Sequence, residues 1–200
     1  MRRSHPRSRA ESRALFLAGH PALDFLNTRM RVNGEMVDCL QRDDDVLRWL
    51  ERAGFAVARI RRDTAPLSLV DAARTLRENI RSLVENRRAG RRGDPSVLNR
   101  FLAEAQSHPR LVWNEAASPK IDRVRRQDTP AGILGPVAEA AADLLASADF
   151  TLVKRCEDKT CVLWFSDQTK SHHRRWCSPA LCGNRYKVAA YRKRLRARSA

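Results

Sequence analysis

Four cysteines fall in two pairs of equal spacing, Cys156 with Cys161 and Cys177 with Cys182, four residues between the members of each pair. Thiolates at such short spacing converge when the backbone turns between them, and two turns of this kind can bring four sulfurs around one tetrahedral ion. Zinc suits the set. It has no redox chemistry under reducing conditions, and four soft anionic ligands leave no open position for a substrate water. The spacing therefore predicts one structural Zn2+ held by Cys156, Cys161, Cys177 and Cys182. Four incidental thiols, an iron–sulfur cluster or a redox-switched zinc–thiolate site are the alternatives that use the same residues. His172 and His173 lie between the pairs and are read as surface or phosphate-facing side chains, because four thiolates already complete the sphere. Cys39, far off in sequence, is expected to be an ordinary buried thiol.

Basic residues flank the second pair on both sides. Lys170, Arg174 and Arg175 precede it, while Arg185, Lys187, Arg192, Lys193 and Arg196 follow. These eight are the candidate nucleic-acid contacts, since Lys and Arg neutralise phosphates and release counterions. Charge distribution supports a separate binding end. Residues 151–200 hold 13 Lys and Arg against 3 Asp and Glu, whereas residues 14–150 hold 21 against 19. The full chain carries +16, a field that attracts polyanions. Ser178-Pro179 reads as cap and first residue of a helix running toward the C-terminus, with Val188, Tyr191 and Leu195 on a packing face and the arginines on the others.

The elements that must position this end are mostly helical. The arm, residues 1–13, has Arg, Ser and Pro but no apolar anchor and is expected to be a disordered basic tail. Residues 14–149 are read as one helical domain for sensing or dimerisation, and residues 150–200 as the zinc module. Within the body, Gly19 to Thr28 is read as a short strand or turn. Asp43-Asp44-Asp45 followed by Val46, Leu47 and Leu50 predicts a helix stopped by Gly54. Leu69, Ala73, Leu76, Ile80 and Leu83 predict a long helix ending near Gly90. Asp94-Pro95 opens a third helix through Val97, Phe101 and Leu102. Leu111–Trp113 and Ile121–Val124 suggest a small hairpin, and Pro136 opens a fourth helix through Val137, Ala141 and Leu144. The fold class is mainly α with a small β element, an α+β arrangement.

No apolar run reaches the roughly 20 residues that span a bilayer, so neither a membrane partner nor export is expected. A cytoplasmic location follows as the expectation. The body offers no Gly-rich phosphate loop, no nucleophile elbow and no His-Glu-x-x-His pair, so no enzymatic activity is expected. His20, Asp24 and Asn27 form its one compact polar set.

The run Cys156-x4-Cys161-x3-Phe165-x-Asp167, then Arg174-Arg175-Trp176-Cys177-Ser178, then Cys182-Gly183-Asn184-Arg185 resembles the CGNR zinc-finger family. Upstream, Gly19-x-Pro21-x-Leu23-Asp24-Phe25-x-Asn27-Thr28 looks like the start of the ABATE domain that precedes this finger in bacterial stress-induced transcription regulators. The chain departs from the family's usual linker at Thr169, where Ser is common, and at Ser171, where Asn is expected. The resemblance implies zinc at the four cysteines, DNA as partner and a body that senses a signal. Gly183 is read as letting the backbone turn beside the ion, and Asn184 as hydrogen-bonding near the thiolates, with a base edge as its alternative target. Trp164 and Trp176 are read as the module's miniature core in preference to base-stacking groups. A DNA-binding transcription regulator is thus expected, with a small-molecule ligand or a homodimer contact for the body. An RNA-binding zinc module and a zinc–thiolate redox sensor are the alternatives.

Overall fold

The computed structural model describes residues 14–55 and 68–198; the basic arm 1–13 lies outside the described residues. In chain order the elements are α1 (Pro21–Leu26), β1 (Arg29–Val32), β2 (Glu35–Asp38), α2 (Asp43–Arg52), α3 (Leu69–Arg88), α4 (Ser96–Glu104), β3 (Ser107–Trp113), β4 (Pro119–Arg125), α5 (Pro130–Ser147), β5 (Val153–Arg155), β6 (Trp164–Ser166), a π-helical turn (Pro179–Gly183) and α6 (Asn184–Arg198). Among the described residues, the strands pair only as neighbours, in three antiparallel two-stranded sheets. Helices carry the fold, as the hydrophobic periodicity predicts. Among the described residues, no helix is long and apolar enough to cross a membrane.

Two compact units divide the chain, and the division differs from the one read in the sequence. Leu40–Ser147 forms one, and the flanking segments up to Cys39 and from Ala148 together form the other. The start of the expected helical body, residues 14–39, therefore belongs with the cysteine-bearing segment.

In the 40–147 unit, local chemistry starts each helix. The Asp45 carboxylate accepts the amides of Gln41 and Arg42 at 3.0 and 2.9 Å, and Asp43 accepts the Val70 amide at 2.8 Å, tying the start of α2 to that of α3. Gly54, at φ +81°, takes the left-handed backbone that ends α2. Ser68 caps α3, whose stripe Leu69, Ala73, Leu76, Ile80 and Leu83 is buried as predicted. Asp94 accepts the Ser96 amide at 2.9 Å, so α4 begins one residue after Pro95. Helices α3, α4 and α5 pack pairwise around this core. The β3–β4 hairpin pairs Leu111 with Ile121 and is longer than expected.

Pro136 does not open α5; it sits inside it. The helix starts at Pro130, where the Thr129 hydroxyl accepts the Gly132 amide at 3.0 Å. Pro136 has no N–H for the Gly132 carbonyl, and a proline ring crowds that carbonyl. The core takes this turn regardless, because Ile133, Leu134 and Val137 are all buried. Gly135 is dictated by space, since a Cβ there would lie 2.8 Å from that of Ala105.

In the other unit, Gly19–Thr28 contains a helix where a strand or turn was expected. Proline at its first position and His20 Nδ1 accepting the Ala22 amide at 3.2 Å start α1. Six residues are too few to register a 3.6-residue period. Asn33 and Gly34, at φ +51° and +92°, make the tight turn between β1 and β2, a hairpin absent from the expectations. Leu23, Phe25, Leu26, Val153, Leu163, Trp164 and Phe165 are buried in this unit, with α1 against β6.

Candidate metal centre and basic helix

The β5–β6 pairing sets Lys154 opposite Phe165 and Arg155 opposite Trp164, and the Cys156 amide continues the ladder to the Leu163 carbonyl at 2.9 Å. The loop from Cys156 to Cys161 is thus the tip of a hairpin. Asp158 shapes it, its carboxylate accepting the Thr160 amide and hydroxyl at 2.9 and 2.7 Å. The second pair is set by a helix start: the Ser178 hydroxyl accepts the Leu181 amide at 3.3 Å, and the Ser178 carbonyl receives the amides of Cys182 and Gly183 at 3.1 Å.

These two turns bring the four Sγ atoms within 4.8 Å of one another. Cys161 and Cys177 sulfurs are 3.8 Å apart, and those of Cys177 and Cys182 3.5 Å. A tetrahedron of sulfurs at about 2.3 Å from zinc has edges of about 3.8 Å, so the set fits one zinc ion. Cys156, Cys177 and Cys182 are buried and Cys161 is half-buried. The Cys177 amide donates to the Cys156 sulfur at 3.4 Å, a bond that favours a thiolate there.

Crowding makes the thiols resist ionising together. Hydrogen bonds from Cys161 and Cys177 hold the Cys156 thiol far below its ordinary range. Its bond to Cys156 raises Cys161, bonds given to Cys156 and Cys161 raise Cys177, and burial pushes Cys182 up to about 12. Burial and neighbouring sulfurs thus raise three of the four thiols, and a divalent cation at their centre would offset this by favouring the thiolate forms. Zinc supplies positive charge and a cross-link, and four thiolates close its coordination sphere.

Between the pairs, Asp167 organises the linker. Its fully buried carboxylate accepts Lys154 Nζ at 2.7 Å, the Arg174 amide at 2.8 Å, and the Thr169 amide and hydroxyl at 3.1 and 2.6 Å. Burial alone would raise its pKa, yet the Lys154 ammonium and these donors hold it well below the usual carboxylate range. Thr169 thus makes the linker bond that serine would. His172 and His173 are exposed and stand outside the sulfur cluster. Cys39 is half-buried and outside it too.

The upstream segment completes the module. Asn27 Nδ2 donates to the Trp164 carbonyl at 2.8 Å, and the Trp164 amide donates back to Asn27 Oδ1 at 2.9 Å. The Ser166 amide donates to the Ala18 carbonyl at 2.7 Å, and Gln168 to Gly19 at 2.8 Å. Asp24 accepts the amides of Leu17 and Ala18 at 2.9 Å, while burial pushes its carboxyl up. His20, Asp24 and Asn27 are therefore each spent on backbone, and the compact polar set is structural.

Of the eight predicted phosphate contacts, Arg174 is turned inward. Its guanidinium donates to the Leu17 and Trp176 carbonyls at 2.9 Å and to the Cys177 carbonyl, and it lies 4.3 Å over the Phe165 ring. Three carbonyls from both arms of the unit need a planar multi-donor group, which arginine provides. Lys170, Arg175, Arg185, Lys187, Arg192 and Arg196 are exposed, and Lys193 belongs to α6. Arg175 pairs with Glu157 at 2.6 Å and lies 5.1 Å over Trp176, which in turn meets Tyr186 at 5.6 Å. Arg185 donates to Thr160 at 2.8 Å and reaches Asp158 at 3.3 Å.

Helix α6 starts two residues after the last cysteine. Its expected packing face is open: Val188, Tyr191 and Leu195 are 41%, 58% and 46% exposed. Trp164, by contrast, is core, and Trp176 is half-buried. A Cβ at Gly183 would make ordinary contact with Trp176 at 3.5 Å, so space alone does not demand glycine. Asn184 is exposed.

Residues 19–148 match the ABATE family, described as "Putative stress-induced transcription regulator", and residues 153–195 match the CGNR zinc finger. No curated protein matches the chain. Sequence reasoning gave Asp167 and Lys154 no role, and it did not foresee the pairing of Asn27 with the Trp164 backbone. Asp167 and Asn27 stand in the two quoted motifs, but nothing local announces a partner 137 positions away.

Proposed function

This chain belongs to the ABATE family and ends in a CGNR zinc finger, and from that premise we propose that it is a DNA-binding transcription regulator of the bacterial cytoplasm. One observation carries the reading. In α6, seven of the fifteen residues are Lys or Arg, none is acidic, and Arg185, Lys187, Arg192, Arg194 and Arg196 are exposed. Cys182 tethers the start of this helix to the metal centre, so its charges are pre-positioned and phosphate binding loses less ordering entropy.

Arg175, Lys170 and Lys193 extend the basic set, and the exposed Asn184 amide is available to a base edge. Arg174 supports the module from within. The zinc site serves architecture, since a complete thiolate sphere leaves no position for a substrate water; the protein is read as a binding protein and not an enzyme.

The test is a titration of the zinc-loaded full chain against labelled duplex DNA and structured RNA over a salt series, followed by genome-wide occupancy of the tagged protein. The reading expects tighter binding to DNA and discrete genomic sites. Preference for RNA selects the RNA-binding alternative, and a lack of discrete sites removes the regulator.

A further inference from the structure

The 40–147 unit contains a hollow of about 470 Å³ between α3, α4 and the start of α5, within the size range of small-ligand sites. Phe101, Ala72, Pro130 and Ala131 give it an apolar floor, and Asp71, Glu104, Asp128 and Arg100 stand at its rim. Its walls are fixed. Gly135 lets α5 approach the end of α4 so closely that a Cβ would lie 2.8 Å from that of Ala105, and one at Gly132 would lie 2.7 Å from the Arg126 carbonyl oxygen. The Thr129 hydroxyl, which receives the Gly132 amide, donates to Glu104 at 2.9 Å.

The rim charges are not equivalent. Asp128 is neutralised by Arg126, whose Nε donates to both carboxylate oxygens at 2.7 and 2.9 Å. Asp71 and Glu104 take their side-chain hydrogen bonds from neutral hydroxyls, Ser68 at 2.6 Å and Thr129 at 2.9 Å. Each therefore keeps most of its acceptor capacity, although Glu104 also lies within electrostatic reach of the Arg126 guanidinium. Against these two stands one lining cation, the exposed Arg100.

We propose that this hollow is a binding site for a small amphipathic organic cation, whose apolar body lies on Phe101, Ala72 and Ala131 and whose ammonium donates to Asp71 and Glu104. The site gives chemistry to the sensing role that the regulator reading assigns to the body. It is tested without nucleic acid, so the two can fail separately.

The test uses the full zinc-loaded chain and two probes of one shape and opposite charge, 2-naphthylmethylamine and 2-naphthylacetate, followed by calorimetric titration at neutral pH. The amine should bind at least about tenfold more tightly than the acetate, the effect expected of two nearby exposed carboxylates acting together. D71N/E104Q should lose about tenfold in amine affinity, and A131W, which fills the floor, should abolish binding of the amine. Circular dichroism of each variant separates loss of the site from loss of fold, and R100A provides a second, surface variant that should bind the amine at least as well as the parent chain. No amine binding to the parent chain, equal or reversed preference between the probes, or undiminished amine binding in folded A131W would each overturn the proposal.

Discussion

Asn27 and Trp164, 137 positions apart, exchange two hydrogen bonds, the asparagine amide pairing with the tryptophan backbone as a neighbouring strand would. Both residues are almost fully buried, at 1% and 3% exposure. Asn27→Ala strands the Trp164 amide and carbonyl without water, and the expected cost is about 2–4 kcal/mol. Urea unfolding of the zinc-loaded protein measures it. The same variant should release zinc faster to a chelator, and an unchanged release rate would mean that the upstream segment does not support the metal centre.

Asp167→Asn removes the charge that half-buried Lys154 and the Thr169 and Arg174 donors share, with an expected loss of about 2 kcal/mol because charge-assisted hydrogen bonds give way to neutral ones. The pH dependence has a definite sign. Native Asp167 titrates below its ordinary value of 3.8, so its contribution is fully present above about pH 4 and drains away as pH falls toward its native pKa. The stability difference between parent and variant should therefore shrink on acidification. A constant difference across the acid range would refute the assignment.

Arg174 should behave unlike its basic neighbours. Arg174→Lys loses the planar set of donors that holds Leu17, Trp176 and Cys177 carbonyls, and it should destabilise by about 2–4 kcal/mol despite keeping the charge. Replacing exposed Lys187, Arg192, Arg194 and Arg196 together by Ala should leave unfolding nearly unchanged and flatten the slope of log affinity against log salt by about three to four units. Unfolding curves and salt titrations on the two variants check the division.

Elemental analysis should find one zinc per chain, in line with the four convergent sulfurs. Because each thiol must lose its proton, zinc affinity should rise with pH and metal binding should release protons. Chelation should weaken nucleic-acid binding although every arginine remains; unchanged affinity and salt slope in the zinc-free protein would leave charge alone as the cause.

The periodic elements were legible in the sequence. The stripes of α2 and α3 and the equal cysteine spacings are local patterns, and the helices and the sulfur cluster stand where those patterns put them. Helix α1 was missed because six residues cannot display a helical period. The β1–β2 hairpin had a signal, Asn33-Gly34, whose residues tolerate positive φ, but the flanking strands are only four residues long. Pro136 misled because burial of Ile133, Leu134 and Val137 overrides one lost hydrogen bond. At the site, residue type marked Arg174 as a phosphate contact, and only tertiary structure shows that its Nε and Nη2 donate to three backbone carbonyls. The open face of α6 carries the same lesson: a stripe states which side chains share a face, not whether anything covers it.

The division of the chain has a consequence for synthesis. The zinc-bearing unit draws on residues before Leu40 and after Ser147, so on the ribosome its first segment emerges long before its partner exists. Ala18 and Asn27 must wait for Ser166 and Trp164. Meanwhile the intervening unit has all its own residues and can fold first, which shortens the closure that remains. Arg74 holds the Leu40 carbonyl with bonds of 3.0 and 2.7 Å, and Arg87 reaches the Leu145 carbonyl at 3.4 Å. Both exits of that unit are thereby pegged to α3, about 20 Å apart along its axis. A chain cut short before Trp164 would leave Asn27 unmatched and the cysteine set incomplete, so the nascent protein acquires its metal-binding module only after Cys182 has been added.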